Sequence, residues 1–270
     1  MTQGTGYVDP AYLDAAARLA AEGKERSYAR LRLTPGESVL DVGCGPGTDT
    51  LPLAQIVGPS GRVTGIDRDP EMVAEADRRA RAAGVGARVE HLVGDATALP
   101  FADGAFDGVR SERLLLHLAQ PERAVAEMVR VTRTGGWVVL MDTDWGTRSV
   151  DTPEAHLERR MADVLSDLCL ANGYSGRRLY GMAKRAGLAE VTPEVLPLYV
   201  TDYALWRLLS RLDMAGEVAV SSGAMTADEV RRLDESWRAL GEEGTFFALT
   251  TLVLVAGRRV LPRSPPSVGR

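Results

Sequence analysis

The chain has 270 residues, 45% of them hydrophobic and 26% charged, with 28 glycines and 14 prolines. These are values of a folded globular protein, and they exclude collagen-like, coiled-coil and disordered chains. The 37 acidic against 32 basic residues leave a net charge of -5, so no global positive field gathers nucleic acid or anionic lipid. Two cysteines, Cys44 and Cys169, and three histidines without metal-ligand spacing exclude a disulfide framework and a zinc module. The expected compartment is a reducing cytoplasm, and no metal is expected.

The apolar stretch at the start lacks a basic leader and is interrupted by Asp14 and Arg18, so no signal peptide is expected. No apolar run approaches the roughly 18 residues that span a bilayer, so no membrane association is expected. Lys24 and Lys184 are the only lysines. That bias towards arginine is read as genomic composition rather than function.

In chain order, Leu13, Ala16, Ala17 and Ala20 fall at helical spacing, predicting a leader helix over 12–32 that can lie across a cleft. Residues 37–42 read as a buried strand, 43–47 as a glycine turn, and 48–57 as a helix. A second strand covers 62–67, followed by a helix with Asp69 as N-cap and Pro70 in its first position. Further strands are predicted at 88–93, 106–110 and 137–142, with helical segments at 113–118 and 121–133. This alternation predicts right-handed βαβ units in an α/β fold, a doubly wound and mainly parallel sheet.

Beyond it, Asp151 and Glu154 resemble a capping box before a helix burying Leu157, Met161, Val164, Leu165 and Leu168. A helix over 176–186 and a strand over 188–198 follow, the strand weakened by Pro193 and Pro197 and so expected at an edge or a bulge. Two amphipathic helices are predicted within 202–243, the second behind a box of Thr226 and Glu229. The run 246–256 reads as a strand buried on both faces. The expected organisation is a leader (1–36), one domain (37–260) with helical insertions at about 151–187 and 202–243, and a disordered tail (261–270).

The most informative segment is Val39-Leu-Asp-Val-Gly-Cys-Gly-Pro-Gly47. Glycines there let backbone approach a ligand, and the following helix offers unpaired N–H groups. The third glycine is misplaced for a dinucleotide fingerprint, and there is no Gly-Lys-Ser/Thr as in a phosphate loop. Asp67 ends the second strand, where a carboxylate can accept from both hydroxyls of a ribose. Asp95 ends the third, where its side chain and the Ala96 backbone suit an adenine edge. Asp41, Asp67 and Asp95 thus line one crevice with only Arg68 as a nearby cation. A cationic nucleoside fits, and S-adenosylmethionine is one.

At this point the sequence resembles the class I S-adenosylmethionine-dependent methyltransferases, through VLDVGCGPG at 39–47, GIDRDPEMV at 65–73, VGDATALPF at 93–101, FDGV at 106–109 and RTGGWVVLMD at 133–142. The resemblance covers 37–142 densely. It implies a Rossmann-like sheet of seven strands whose final hairpin reverses one strand. It also implies Asp41, Gly43, Gly45 and Gly47 at the methionine portion, Asp67 at the ribose with Arg68 flanking, and Asp95 with Ala96 at the adenine. Ser111, expected just past the fourth strand, would expose backbone to the methionine amino group.

The pattern is most similar to single-chain enzymes of quinone and secondary-metabolite biosynthesis, which implies a small organic methyl acceptor. Arg110-Ser-Glu-Arg113 replaces the Asn/Asp-Pro-Pro-Tyr/Phe box of amino-methylating enzymes, so a nucleic-acid acceptor is not expected. Two alternatives stay open: a non-methylating reaction in the same pocket, such as cyclisation or decarboxylation, and a nucleoside-binding module without catalysis.

Candidate acceptor-side residues are His117, weighed between packing and catalysis, and Asp144, weighed between acceptor contact and a capping or loop role. Glu112, Trp145, Trp206 and Met214 are expected to line the pocket, with 202–243 as a lid. Tyr7, Tyr12 and Tyr28 are read as packing before a place over the methyl donor, and the pairs Arg177-Arg178 and Arg231-Arg232 as solvated helix faces before contacts to an acidic acceptor. Neither the atom methylated nor the oligomeric state follows from the sequence.

Overall fold

The computed structural model describes residues 10–261. The expectations for Tyr7 and for the tail after Leu261 lie outside the described residues. Seven strands form one sheet: β1 (Ser38–Val42), β2 (Arg62–Asp67), β3 (Val89–Val93), β4 (Phe106–Glu112), β5 (Thr132–Val150), β6 (Ala189–Val200) and β7 (Ala248–Arg258). Their order is β3-β2-β1-β4-β5-β7-β6. β1 to β5 pair in parallel, and β7 runs antiparallel to both its neighbours. The sheet is therefore of the doubly wound α/β class, its chain direction reversed once by the last hairpin.

β1 is central because both its faces are apolar: Val39, Leu40 and Val42 are fully buried, as the near-continuous hydrophobic run of a covered parallel strand requires. The edge position of β6 explains its two prolines. It pairs only with β7, and its register shifts between Ala189 and Thr192, so the missing N–H groups interrupt no central ladder.

The helices on the sheet begin as their caps dictate. In α4 (Pro70–Ala82), Asp69 Oδ1 accepts from the Glu71 N–H at 2.9 Å and Pro70 occupies the first position. α3 (Thr50–Val57), α5 (Pro121–Val131) and α7 (Ser175–Arg185) complete the flanking layers. The segment expected as a helix over 113–118 is a single 3-10 turn, Leu115–His117.

Three expectations fail for identifiable reasons. The leader is two helices, α1 (Pro10–Leu19) and α2 (Ala21–Leu31). Asp151 caps nothing: α6 (Ala155–Val164) starts after Glu154 with no side-chain cap, and Leu168, in the wide turn that follows, is exposed. The stretch 202–243 holds three helices rather than two, α8 (Tyr203–Leu209), α9 (Leu212–Ser221) and α10 (Ala227–Glu242), because Arg211 takes a left-handed φ of 49° and breaks the first. The box of Thr226 and Glu229 does cap α10, with both of its hydrogen bonds present.

Helices α8 to α10 share an apolar core with α1, α6 and the far end of β5. Trp206, Trp237, Met161, Leu212 and Ala15 belong to it. This core is separate from the two that cover the faces of the sheet.

Candidate active site

The carboxyl ends of β1, β2 and β4 converge on the glycine turn after β1. Gly43, Gly45 and Gly47 all have positive φ, at 75°, 51° and 75°, a region side chains disfavour. Their surroundings differ. A Cβ on Gly43 would stand 3.0 Å from Leu114 Cδ1, and one on Gly47 only 2.9 Å from Ala76 Cβ. At Gly45 it would meet nothing within 4 Å. Gly43 and Gly47 therefore let the chain pack, while Gly45 alone turns bare backbone towards open space.

Asp67 is fixed beside that opening. Its Oδ2 accepts from the Gly45 N–H at 2.9 Å and its Oδ1 from the Asp69 N–H at 3.0 Å. Both oxygens keep further lone pairs, as a diol-binding carboxylate must. Asp95 is held by Thr97, whose backbone N–H and hydroxyl both donate to Oδ1 at 2.8 Å, and these bonds hold its carboxyl below the usual range. Ala96 is half-buried beside it, and Arg68 is exposed.

Beneath the turn lies a buried ionic cluster that sequence reasoning missed. Lys24 of α2 donates to Asp49 Oδ1 and Oδ2 at 2.9 and 2.8 Å and to Glu112 Oε2 at 2.5 Å. Arg110, wholly buried in β4, bridges Asp41 at 3.2 Å, Asp49 at 3.2 Å and Glu112 at 2.9 Å. The Tyr28 hydroxyl donates to Asp49, so Tyr28 is a polar member of the cluster rather than packing alone.

Despite burial, Arg110 and Lys24 hold the Asp49 carboxyl low. Burial with neighbouring Asp49 and Glu112 pushes Asp41 up, against the pull of Arg110. α2 can sink this deep because Gly23 meets the sheet: a Cβ there would stand 2.6 Å from Leu252 Cδ2. The available signal was Lys24 itself, one of two lysines and placed just after that glycine.

Several expected residues need correction. β4 continues through Glu112, so Ser111 is buried inside the sheet opposite Val42 and Leu140 rather than past its end. Glu112 is engaged by Lys24 and Arg110, and only its Oε1 lacks a hydrogen bond. It is thus a member of the buried ionic cluster. Asp144 is 1% exposed and saturated, accepting from Arg177 Nε at 2.6 Å, Nη2 at 2.9 Å and N–H at 3.1 Å, and from the Gly146 N–H at 3.2 Å. It anchors the start of α7 through Arg177, which is exposed as expected of a solvated helix face and forms this ion pair as well.

Trp206 is 3% exposed and belongs to the apolar core shared by α1, α6 and α8 to α10, its ring centroid 4.7 Å from the buried Arg148 guanidinium, so it lines no open pocket. Met214 and Trp145 are half-buried. Met214 also lies off the cavity of about 790 Å³ between α9 and α10, which is bordered by Leu212, Gly216, Val230 and Trp237 and by no residue of the glycine turn.

His117 is exposed at the end of the 3-10 turn. Desolvation by the surrounding protein, with Arg113, Arg68 and Arg211 nearby, lowers its imidazole to about 4. The imidazole is therefore neutral near pH 7. Among the described residues no group of three His, Cys, Asp or Glu side chains could hold a metal ion, and no helix is long and apolar enough to cross a membrane.

Comparison with known proteins agrees with this geometry. Residues 39–136 match the methyltransferase domain family. The chain is 39% identical over 254 residues to an uncharacterized 37.1 kDa protein in transposon TN4556 of Streptomyces fradiae, covering 92% of this chain and 70% of that one. It is 34% identical over 119 residues to a demethylmenaquinone methyltransferase of Desulfitobacterium hafniense, covering 44% of this chain and 47% of that enzyme. Among solved structures, a putative methyltransferase from Bacillus halodurans superposes with a TM-score of 0.62 at 19% identity, over 89% of this chain and all of the other. The chain thus spans about half the length of named methyltransferase relatives that it matches.

Proposed function

Given that this chain belongs to the class I S-adenosylmethionine-dependent methyltransferases, we propose that it transfers a methyl group to a small organic acceptor at the mouth formed by the ends of β1, β2 and β4. The observation that carries this reading is the open backbone at Gly45 clamped beside Asp67. Asp67 would take the ribose hydroxyls and Asp95 with Ala96 the adenine edge. Asp41 Oδ2 and Glu112 Oε1, both buried without hydrogen-bond partners, would accept from the methionyl ammonium. An unpaired buried carboxylate oxygen otherwise costs about 1–3 kcal/mol.

When bound, S-adenosylmethionine supplies an electrophilic methyl on a sulfonium. The chain's own contribution is positioning and exclusion of water. His117 is exposed and neutral at pH 7; with an imidazole lowered to about 4 it is a weak base there. It would orient the acceptor by a hydrogen bond rather than carry its proton away. α1, α2 and the cap of α8 to α10 would close the acceptor side, with specificity set by residues at the mouth rather than by Trp206. The enzyme of Desulfitobacterium hafniense is named for demethylmenaquinone, and a small-molecule acceptor is the reading carried over here. No nucleic acid or membrane partner is proposed, and a cytoplasmic site of action is the corresponding expectation.

The test is incubation with S-adenosylmethionine labelled in its methyl group and a metabolite panel, followed by mass analysis. A labelled small molecule formed together with S-adenosylhomocysteine is the expected result. Binding of S-adenosylhomocysteine with label in no product would leave a nucleoside-binding module, and a rearranged unlabelled product would mean another reaction type.

A further inference from the structure

The cap holds a buried charge that its neighbours leave unanswered. Among the described residues ten buried side-chain nitrogen and oxygen atoms have no hydrogen-bond partner. Five of the ten belong to the place where β5, α6, α8 and α10 meet: Arg148 Nε and Nη1, Trp206 Nε1, Trp237 Nε1 and Glu158 Oε1. Four of these five carry N–H groups and one is an acceptor, so the cluster lacks acceptors.

Arg148 is 1% exposed and reaches no carboxylate within 4.0 Å among the described residues. The rings of Trp206 and Trp237 lie against its guanidinium, with centroids at 4.7 and 5.6 Å. Indole faces attract a cation without replacing the hydrogen bonds it loses on burial. Glu158, itself buried, has its Oε2 3.8 Å from Arg159 Nε instead. Burial lowers the Arg148 guanidinium to about 9 even though Glu158 pulls the other way. The group is thus charged at neutral pH and short of a countercharge.

Space for a ligand adjoins it. The cavity of about 790 Å³ between α9 and α10 is bordered by the apolar side chains Met161, Leu212, Val230 and Leu233 and by Trp237. That volume falls in the range of small-molecule sites, roughly 300–1,000 Å³. On its rim Arg207 is paired with Asp213 and Asp234. Trp237 links the two features, because it borders the cavity, carries an unpartnered N–H and lies against Arg148.

We propose that the cap binds a small amphipathic carboxylate, with its apolar body in this cavity and its carboxylate received by Arg148 past the Trp237 indole. A guanidinium suits a carboxylate through its planar set of N–H donors, and the indole N–H adds one more. No residue of the glycine turn borders the cavity, so the site is separate from the cofactor mouth and does not depend on the methyl-transfer reading. A bound carboxylate ties α10 to β5 through Arg148 and steadies the cap.

The test titrates the full chain with octanoate, its neutral isostere octanamide, and acetate, followed by calorimetry and tryptophan fluorescence. Octanoate should bind one site and raise the melting temperature. Octanamide lacks the charge and acetate the apolar body, so each should bind at least about tenfold more weakly. Saturation with S-adenosylhomocysteine should leave octanoate affinity within about twofold. Arg148→Met should weaken octanoate at least about tenfold, yet the unliganded variant should melt no lower than the parent, because it replaces a buried unpaired charge by an apolar side chain of similar length. A purely structural arginine would show the opposite stability change and no link to octanoate. Octanamide bound as tightly as octanoate, no saturable octanoate binding, or displacement of octanoate by S-adenosylhomocysteine would overturn the proposal on the parent protein alone. Arg148→Met that melts lower or keeps its octanoate affinity would overturn it as well.

Discussion

The Gly45 N–H donates to Asp67 Oδ2 at 2.9 Å, tying the turn after β1 to the end of β2 across the opening where no side chain stands. Donor and acceptor fix each other, so the carboxylate is oriented before a ligand arrives.

Asp67→Ala should weaken S-adenosylhomocysteine binding by at least about tenfold, since a charge-assisted acceptor for hydroxyls contributes about 1.5–3 kcal/mol. Calorimetry beside circular dichroism checks this. Unchanged affinity in a folded variant removes the ribose assignment.

Gly45→Ala and Gly47→Ala should part company. At Gly47 the new Cβ meets Ala76 at 2.9 Å, so thermal stability falls. At Gly45 it meets only open space, so beyond the modest cost of its positive φ the main loss should be in cofactor affinity. The paired measurement is melting temperature against calorimetric affinity; equal patterns in both variants would place the cradle elsewhere.

Lys24→Met should destabilise the fold by about 3–5 kcal/mol, because it leaves Asp49 and Glu112 buried with one cation fewer. Denaturant unfolding measures it. A loss under about 1 kcal/mol, typical of exposed pairs, would show that water reaches the cluster.

Asp142 provides a pH signature. It is wholly buried, accepts from the Ser175 hydroxyl and the Leu116 N–H, and burial raises its carboxyl to about 7. The folded state then holds a proton that the unfolded state releases near pH 4, so this residue's contribution to stability falls as pH rises from about 4 to about 7. Asp142→Asn mimics the protonated form. Its melting temperature relative to the parent should rise across that window, and a flat difference would refute the assignment.

How much of this was legible beforehand divides by physics. The strands, the Asp69 cap, the capping box of α10 and the glycine turn were readable because each rests on local periodicity or local hydrogen bonding. The break at Arg211 was not, since nothing in Leu209-Ser-Arg-Leu212 forbids a continuous helix. Trp206 looked like a pocket residue because an amphipathic face records burial without recording what covers it. Which of the two roles weighed for Asp144 it fills was not readable either, since its partner Arg177 lies 33 residues away; its bonds to the start of α7 are those of the capping role.

The helix carrying Lys24 lies wholly before residue 39, where the recognisable domain begins, yet its ammonium neutralises carboxylates inside that domain. The boundary drawn by kinship is therefore not the boundary of electroneutrality. A fragment trimmed to the matched segment would keep the glycine turn and the Asp67 carboxylate but lose a buried countercharge, so the smallest piece that can hold its shape must include the helix upstream.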